Sequence, residues 1–109
     1  MRTASFAVAT CLMAGVISLI AAERPRPRTH TVSLEGMRFQ PDDLTVAPGD
    51  TIVWANKDLV AHTATSEKGG FDSKIIQPEQ VWTFTAKKKG DFAYVCVLHP
   101  TMTAMLRVK

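Results

Sequence analysis

Short β-branched and aromatic stretches, punctuated by Gly, Pro and Asp turns, point to an all-β chain: a small Greek-key two-sheet β-sandwich after an N-terminal signal segment. Two of the stretches alternate apolar and polar positions, and no helix-period run of useful length occurs. A chain of 109 residues holds one such domain and excludes a multidomain enzyme.

Residues 1–22 open with Met1-Arg2, continue as an apolar run with no further charged side chain, and end in Ala21-Ala22. That is the pattern of a secretory signal peptide cleaved after Ala22, which places the remainder outside the cytoplasm, periplasmic or secreted. The run is also nearly long enough to cross a bilayer, so an uncleaved anchor is the alternative, and only with that anchor is a membrane partner expected. Residues 23–28, from Glu23 to Arg28, read as a basic Arg/Pro tether, because each proline fixes φ and removes an N–H. Residues 29–109 are the folded domain.

Within the domain, Thr31–Leu34 alternates and stops at Gly36; Leu44–Val46 alternates and stops at Pro48-Gly49-Asp50; Thr51–Trp54 is β-branched and aromatic. Further strands are expected over His62–Thr65, Val81–Thr85, Asp91–Val97 and Met102–Val108, and Ile75–Gln80 has room for a helical turn. Side chains two apart on a strand share a face. Phe92, Tyr94 and Cys96 therefore point together into the core, as do Met102, Ala104, Leu106 and Val108. Trp54 and Trp82 are expected as core aromatics, Met37 as core or gap filler rather than part of a pocket or docking face, and His30 as an exposed surface residue.

Charge and cysteine usage exclude other classes. With 13 Lys+Arg against 10 Asp+Glu and no long run of one sign, the chain does not read as a nucleic-acid binder. Lys87-Lys88-Lys89 reads as a solvated turn, or more sharply as a docking patch for an acidic redox partner. Cys11 lies in the segment expected to be removed, which leaves Cys96 alone and rules out a disulfide within the mature chain.

The chemistry is concentrated in Cys96-Val97-Leu98-His99-Pro100-Thr101-Met102, where a thiol, an imidazole and a thioether stand three residues apart between two strands. His62 adds an imidazole from an earlier strand. Two histidines, one cysteine and one methionine are the donor set of a mononuclear copper site with a weak axial sulfur. Zinc also takes Cys and His, but its structural sites want four N or S ligands without a thioether. A Cys/His nucleophile pair lacks a recognisable motif and oxyanion donors, and no substrate pocket is indicated, so the chain does not read as an enzyme.

Taken together, Phe39-Gln40-Pro41, Leu44-Thr45-Val46, Gly49 to Trp54, Asn56, His62 and the Cys96 loop resemble the cupredoxins, the small blue copper proteins, over about Thr29 to Lys109. Within that family the loop is similar to that of amicyanin, with two residues on either side of His99 and Pro100 after it; plastocyanin and pseudoazurin carry a longer second gap. The resemblance implies one type 1 copper cycling between Cu(I) and Cu(II), with His62, Cys96 and His99 in the trigonal plane and Met102 axial. It also implies a monomeric one-electron carrier that meets a dehydrogenase, cytochrome or oxidase transiently at the His99 edge, beside Leu98 and Pro100. The rival functions are a copper carrier or resistance protein and a docking module of an oxidase system. One position departs from the family: Thr63 stands where asparagine often follows the first histidine, and there it helps to fix the loop and the cysteine sulfur. Pro100 has a separate consequence, since it offers no N–H to the Cys96 sulfur.

Overall fold

Turn chemistry sets the first hairpin. In the computed structural model, β1 (Thr29–Glu35) and β2 (Arg38–Gln40) pair antiparallel, with Glu35 opposite Arg38. Gly36 and Met37 make the two-residue turn between them, with φ of 63° and 58°. Two consecutive positive φ values are what a tight hairpin matched to strand twist requires. The described residues are 26–109 and, ahead of them, Thr3, Ala4, Thr10 and Gly15. Apart from those four residues, the expected signal peptide with its cleavage site lies outside them, as does the first half of the tether.

The other strands are β3 (Asp43–Val46), β4 (Thr51–Asn56), β5 (Thr65–Ser66), β6 (Phe71–Asp72), β7 (Val81–Thr85), β8 (Gly90–Cys96) and β9 (His99–Val108). They form a four-stranded sheet in the order β2-β1-β4-β7 and a five-stranded sheet in the order β3-β9-β8-β5-β6. Both sheets are mixed, because β1 runs parallel to β4 and β3 parallel to β9. The chain passes repeatedly from one sheet to the other, so each sheet is assembled from segments distant in sequence.

The core between the sheets follows the two-residue period. Phe92, Tyr94 and Cys96 on β8 are buried, and Leu106, Val108 and Met102 on β9 face them from the neighbouring strand. Trp54 on β4 is fully buried and lies between Tyr94, at 5.7 Å and nearly perpendicular, and Trp82, at 5.3 Å and tilted. Edge-to-face and offset contacts of this kind are the favoured aromatic geometries.

The sandwich has two distinct ends. Thr29 pairs with Thr51 and Thr51 with Thr85, so β1 and β4 start at the end where β7 finishes. Gly90 pairs with Val108, and the Ala86 N–H donates to the Asp50 carbonyl, which brings the start of β8 and the finish of β9 to that same end. Glu35, Asn56, Cys96 and His99 therefore lie at the opposite end.

The departures from expectation are local. Among the described residues nine strands form where about seven were expected: β2 and the β5–β6 hairpin are too short to show a period. His62 does not begin a strand, and makes an isolated bridge with Ile76 instead, through N–H to carbonyl bonds of 3.1 and 2.8 Å in the two directions. That bridge holds Ile76 extended. The expected helical turn is accordingly a tight turn, closed by the Gln80 N–H donating to the Gln77 carbonyl at 3.0 Å.

A candidate metal centre at one end of the sandwich

β8 ends at Cys96, whose inward side chain is fully buried beneath the end that carries His99. Val97 and Leu98 turn the chain, and His99 pairs back opposite Cys96. The pairing then slips between Val95 and Cys96, so residues 100–102 bulge from the ladder before β9 resumes its register. A bulge re-aims side chains at a strand end. Met102 emerges from it buried, and shares a recess of about 250 Å³ with Met37, Phe39 and Thr101.

The donor atoms of His62, Cys96 and His99 lie within 4.8 Å of one another. Nδ1 of His62 and Nδ1 of His99 each stand 3.6 Å from Cys96 Sγ. The two rings meet edge to face, with centroids 5.1 Å apart. His62 is fully buried and His99 half-buried. One side of the cluster is thus sealed in protein, while His99 reaches solvent.

His62 arrives from a loop that is fastened at both ends. Asn56, buried at the end of β4, donates its side-chain amide to the carbonyls of Val60 and Ile76, both at 2.9 Å, and accepts from the Asp58 N–H at 2.9 Å. These bonds fold Lys57–Ala61 into a fixed arc. Asp58 then bonds His62 Nε2 at 2.8 Å. With Nε2–H donated to a carboxylate, Nδ1 carries the lone pair that faces the sulfur.

Asp58 has a second task. Its oxygens accept the N–H groups of Gly36 and Met37, at 2.8 and 3.0 Å, so one carboxylate joins the β1–β2 turn to the imidazole. Burial works to raise its pKa, but the Met37 N–H, the His62 ring and the Gly36 N–H outweigh that and hold the carboxyl below its usual range. Sequence reasoning missed this residue; the available signal was an acid four positions before a candidate ligand.

Thr63 answers for the asparagine that the family often carries. Its N–H donates to Cys96 Sγ at 3.3 Å, and its hydroxyl oxygen accepts the Val97 N–H at 2.9 Å. The first bond withdraws charge from the sulfur and the second fastens the ligand loop to the His62 segment.

Two other expectations need correction. His30 is not a free surface side chain: its Nε2 bonds Asp50 at 2.9 Å, at the end away from the cluster. Met37 does not fill the core, because its turn projects it outward, 43% exposed. It joins Leu59, Val60, Ile75, Val81, Val97 and Leu98, which are, among the described residues, the other large exposed hydrophobics. All of these belong to segments at the His99 end. Trp82 is only partly buried and packs on the edge of the core.

The donor set suits a soft metal ion. Thiolate with two imidazoles in a buried, pre-arranged cluster, and a thioether on the adjoining strand, fit copper better than a hard cation. His62 Nδ1 and Cys96 Sγ already face each other, at 3.6 Å.

A profile of the cupredoxin-like domain matches residues 6–108. Amicyanin from Paracoccus versutus is 25% identical over 83 residues, covering 72% of this chain and 63% of that protein. Methylamine utilization protein MauL from Methylophilus methylotrophus is 28% identical over 106 residues, covering 93% of this chain and 61% of its own length. The chain therefore spans less than two thirds of each of these relatives. Among solved structures, an oxidised proline-to-alanine variant of amicyanin superposes with a TM-score of 0.69 at 24% identity, covering 74% of this chain and 82% of that one. A copper-containing nitrite reductase from Thermus scotoductus superposes equally well, at 0.69 and 25% identity, but this chain covers only 23% of it.

Proposed function

Because the chain belongs to the cupredoxin-like domain family, we propose that it is a copper-dependent one-electron carrier that works outside the cytoplasm. In this reading residues 1–22 are an export signal, 23–28 a tether and 29–109 the copper domain. His62, Cys96 and His99 would hold one copper ion, and Met102 would add a thioether from the adjoining strand. The observation that carries the proposal is the convergence of His62 Nδ1, His99 Nδ1 and Cys96 Sγ, with His62 Nε2 engaged by Asp58. Bound there, copper would supply a one-electron couple between Cu(I) and Cu(II).

The residues around the cluster support transfer of electrons over transfer of metal. Cys96 and His62 are fully buried, and the Asn56 and Asp58 bonds keep the His62 arc from opening. A site meant to release its ion needs exposed, movable ligands. Half-buried His99, with exposed Val97 and Leu98 beside it in the loop and exposed Met37 and Leu59 at the same end, offers a small apolar face suited to brief contacts with a dehydrogenase, cytochrome or oxidase. The likeness to amicyanin and MauL supports the same reading, and a carrier of this kind is not itself an enzyme.

The test is spectroscopic. Purified protein loaded with Cu(II) should take one equivalent, show an intense cysteine-to-copper absorption in the visible, and give reversible one-electron voltammetry. Cys96→Ser should abolish the band and leave the fold intact. A colourless protein whose Cu(I) exchanges rapidly with a chelator would instead identify a metal carrier.

A further inference from the structure

The basic side chains are not spread evenly over the sandwich. Topology brings Arg26 and Arg28 ahead of β1, Lys87, Lys88 and Lys89 between β7 and β8, and Lys109 after β9 to the end opposite His99. All are exposed, and among the described residues none forms an ion pair. Among the described residues, the acids at that end are spent. Asp50 is buried, where it accepts the N–H groups of Arg28 and Ala47 and bonds His30, and Asp91 pairs with Arg107 at 3.2 Å. The large exposed apolar side chains lie at the other end, so the molecule is polarised: one end apolar and redox-bearing, the other cationic.

The expectation that Lys87-Lys88-Lys89 docks an acidic redox partner fits this arrangement poorly. The seven residues of β8 separate these lysines from Cys96 by about 20 Å at roughly 3.3 Å per residue. A redox protein held there would sit far from the His99 edge. We propose that the cationic end is a binding surface for an anionic lipid bilayer, which holds the protein with His99 facing away from the membrane. Two features favour a bilayer. The exposed Lys and Arg side chains follow no fixed geometric pattern: a recess of about 400 Å³ takes in Arg26, Arg28 and Lys109 but not Lys87, Lys88 or Lys89, and such a spread of cations suits diffuse anionic headgroups. Arg26 and Arg28 of the tether also meet the domain at this end, so they extend the cationic surface formed by Lys87, Lys88, Lys89 and Lys109. The inference rests on charge and topology, and does not depend on which metal the opposite end binds.

The experiment compares lysine reactivity of the full chain on vesicles of phosphatidylcholine alone and of phosphatidylcholine with about one third phosphatidylglycerol, an anionic fraction at which surface attraction of basic clusters is strong. Pulse acetylation read by mass spectrometry should find Lys87, Lys88, Lys89 and Lys109 protected several-fold on the anionic vesicles. Lys57 and Lys74, on the other loops, should react as in solution, and high salt should restore the protected lysines. K87Q/K88Q/K89Q should weaken partition to anionic vesicles by roughly 100-fold, and R26Q/R28Q should weaken it as well, with the melting temperature of each variant checking that the fold is kept. Unchanged partition of both variants, or equal protection of Lys57 and Lys74, would overturn the proposal. So would lysines 87–89 that stay reactive on the anionic vesicles but are protected by an acidic soluble protein.

Discussion

Asp58 shows how one side chain can set the chemistry of another. It holds His62 Nε2 and the N–H groups of the Gly36-Met37 turn at once, so its loss should free both the ring and the hairpin. Asp58→Ala is expected to weaken copper binding by about 10- to 100-fold, the range seen when the orienting partner of a metal-bound histidine is removed, and to broaden the visible band as the ring orientation becomes mixed. Asp58→Asn keeps an acceptor oxygen and should recover most of the affinity; a chelator competition that finds Ala and Asn equivalent would remove Asp58 from this role. The Cys96 sulfur offers a second test. Among the described residues its backbone donor is Thr63, at 3.3 Å, and Pro100 contributes none because it has no N–H. Pro100→Ala adds a donor to the ligand loop. A new bond to the sulfur lowers its charge and favours Cu(I), so cyclic voltammetry should show a higher reduction potential, and an unchanged potential would mean that the added N–H does not reach Sγ.

At the scale of the elements, Asp50 joins strands that would otherwise meet only at their ends. It accepts from the Arg28 N–H ahead of β1 and from the Ala47 N–H after β3, and bonds His30 on β1. These contacts, led by the Arg28 and Ala47 N–H groups and the His30 side chain, lower its pKa from 3.8 to about 2. A carboxyl that ionises more easily folded than unfolded stabilises the fold above its unfolded pKa, and that contribution disappears as pH falls through the folded value. The Asp50 share should therefore be complete above pH 3.8 and lost on the way to about 2. In urea titrations at a series of acid pH values, Asp50→Asn should be less stable than the parent near neutrality and show a shallower fall across that window; parallel curves would show that the carboxylate does not act as a clamp. The turn at Gly36-Met37 carries a related cost. Met37 holds φ of 58°, a conformation that disfavours a side chain, and the Asp58 carboxylate offsets it by satisfying both N–H groups.

The whole molecule is organised around its two ends. Strands β1, β4 and β8 all run toward the candidate metal donors, which collects the loops that carry His62, His99 and the exposed apolar side chains at one end, with Arg26, Arg28, Lys87, Lys88, Lys89 and Lys109 at the other. Copper bound to the folded state and not to the unfolded chain should raise global stability by mass action, about 4 kcal/mol when free copper exceeds the dissociation constant by roughly 1,000-fold. Calorimetry of metal-free and copper-loaded protein should show a higher melting temperature for the loaded form. His62→Ala should abolish most of that difference while changing the metal-free melting temperature much less. Equal melting temperatures for the loaded and metal-free parent would contradict binding at this cluster.

Much of the centre was legible along the chain because it depends on short-range periods. The three-residue spacing of Cys96, His99 and Met102, and the two-residue parity that turns Phe92, Tyr94 and Cys96 inward, are local properties of a strand and its loop, and the donor chemistry follows from residue type. The approach of His62 could be named but not built, since its position depends on a bridge to Ile76 and on bonds from Asn56 that no period displays. The outward Met37 and the pairing of His30 with Asp50 were out of reach for the same reason, and Asp58 left only its spacing, four positions before His62, as a signal. The separation of apolar and cationic ends was equally hidden, because it arises when parallel pairings of β1 with β4 and β3 with β9 bring together segments far apart in sequence. Residue type and local period carried the candidate donor set and the all-β class; long-range pairing supplied the orientation of those donors and the polarity of the molecule, because both require contacts between residues that the chain itself keeps apart.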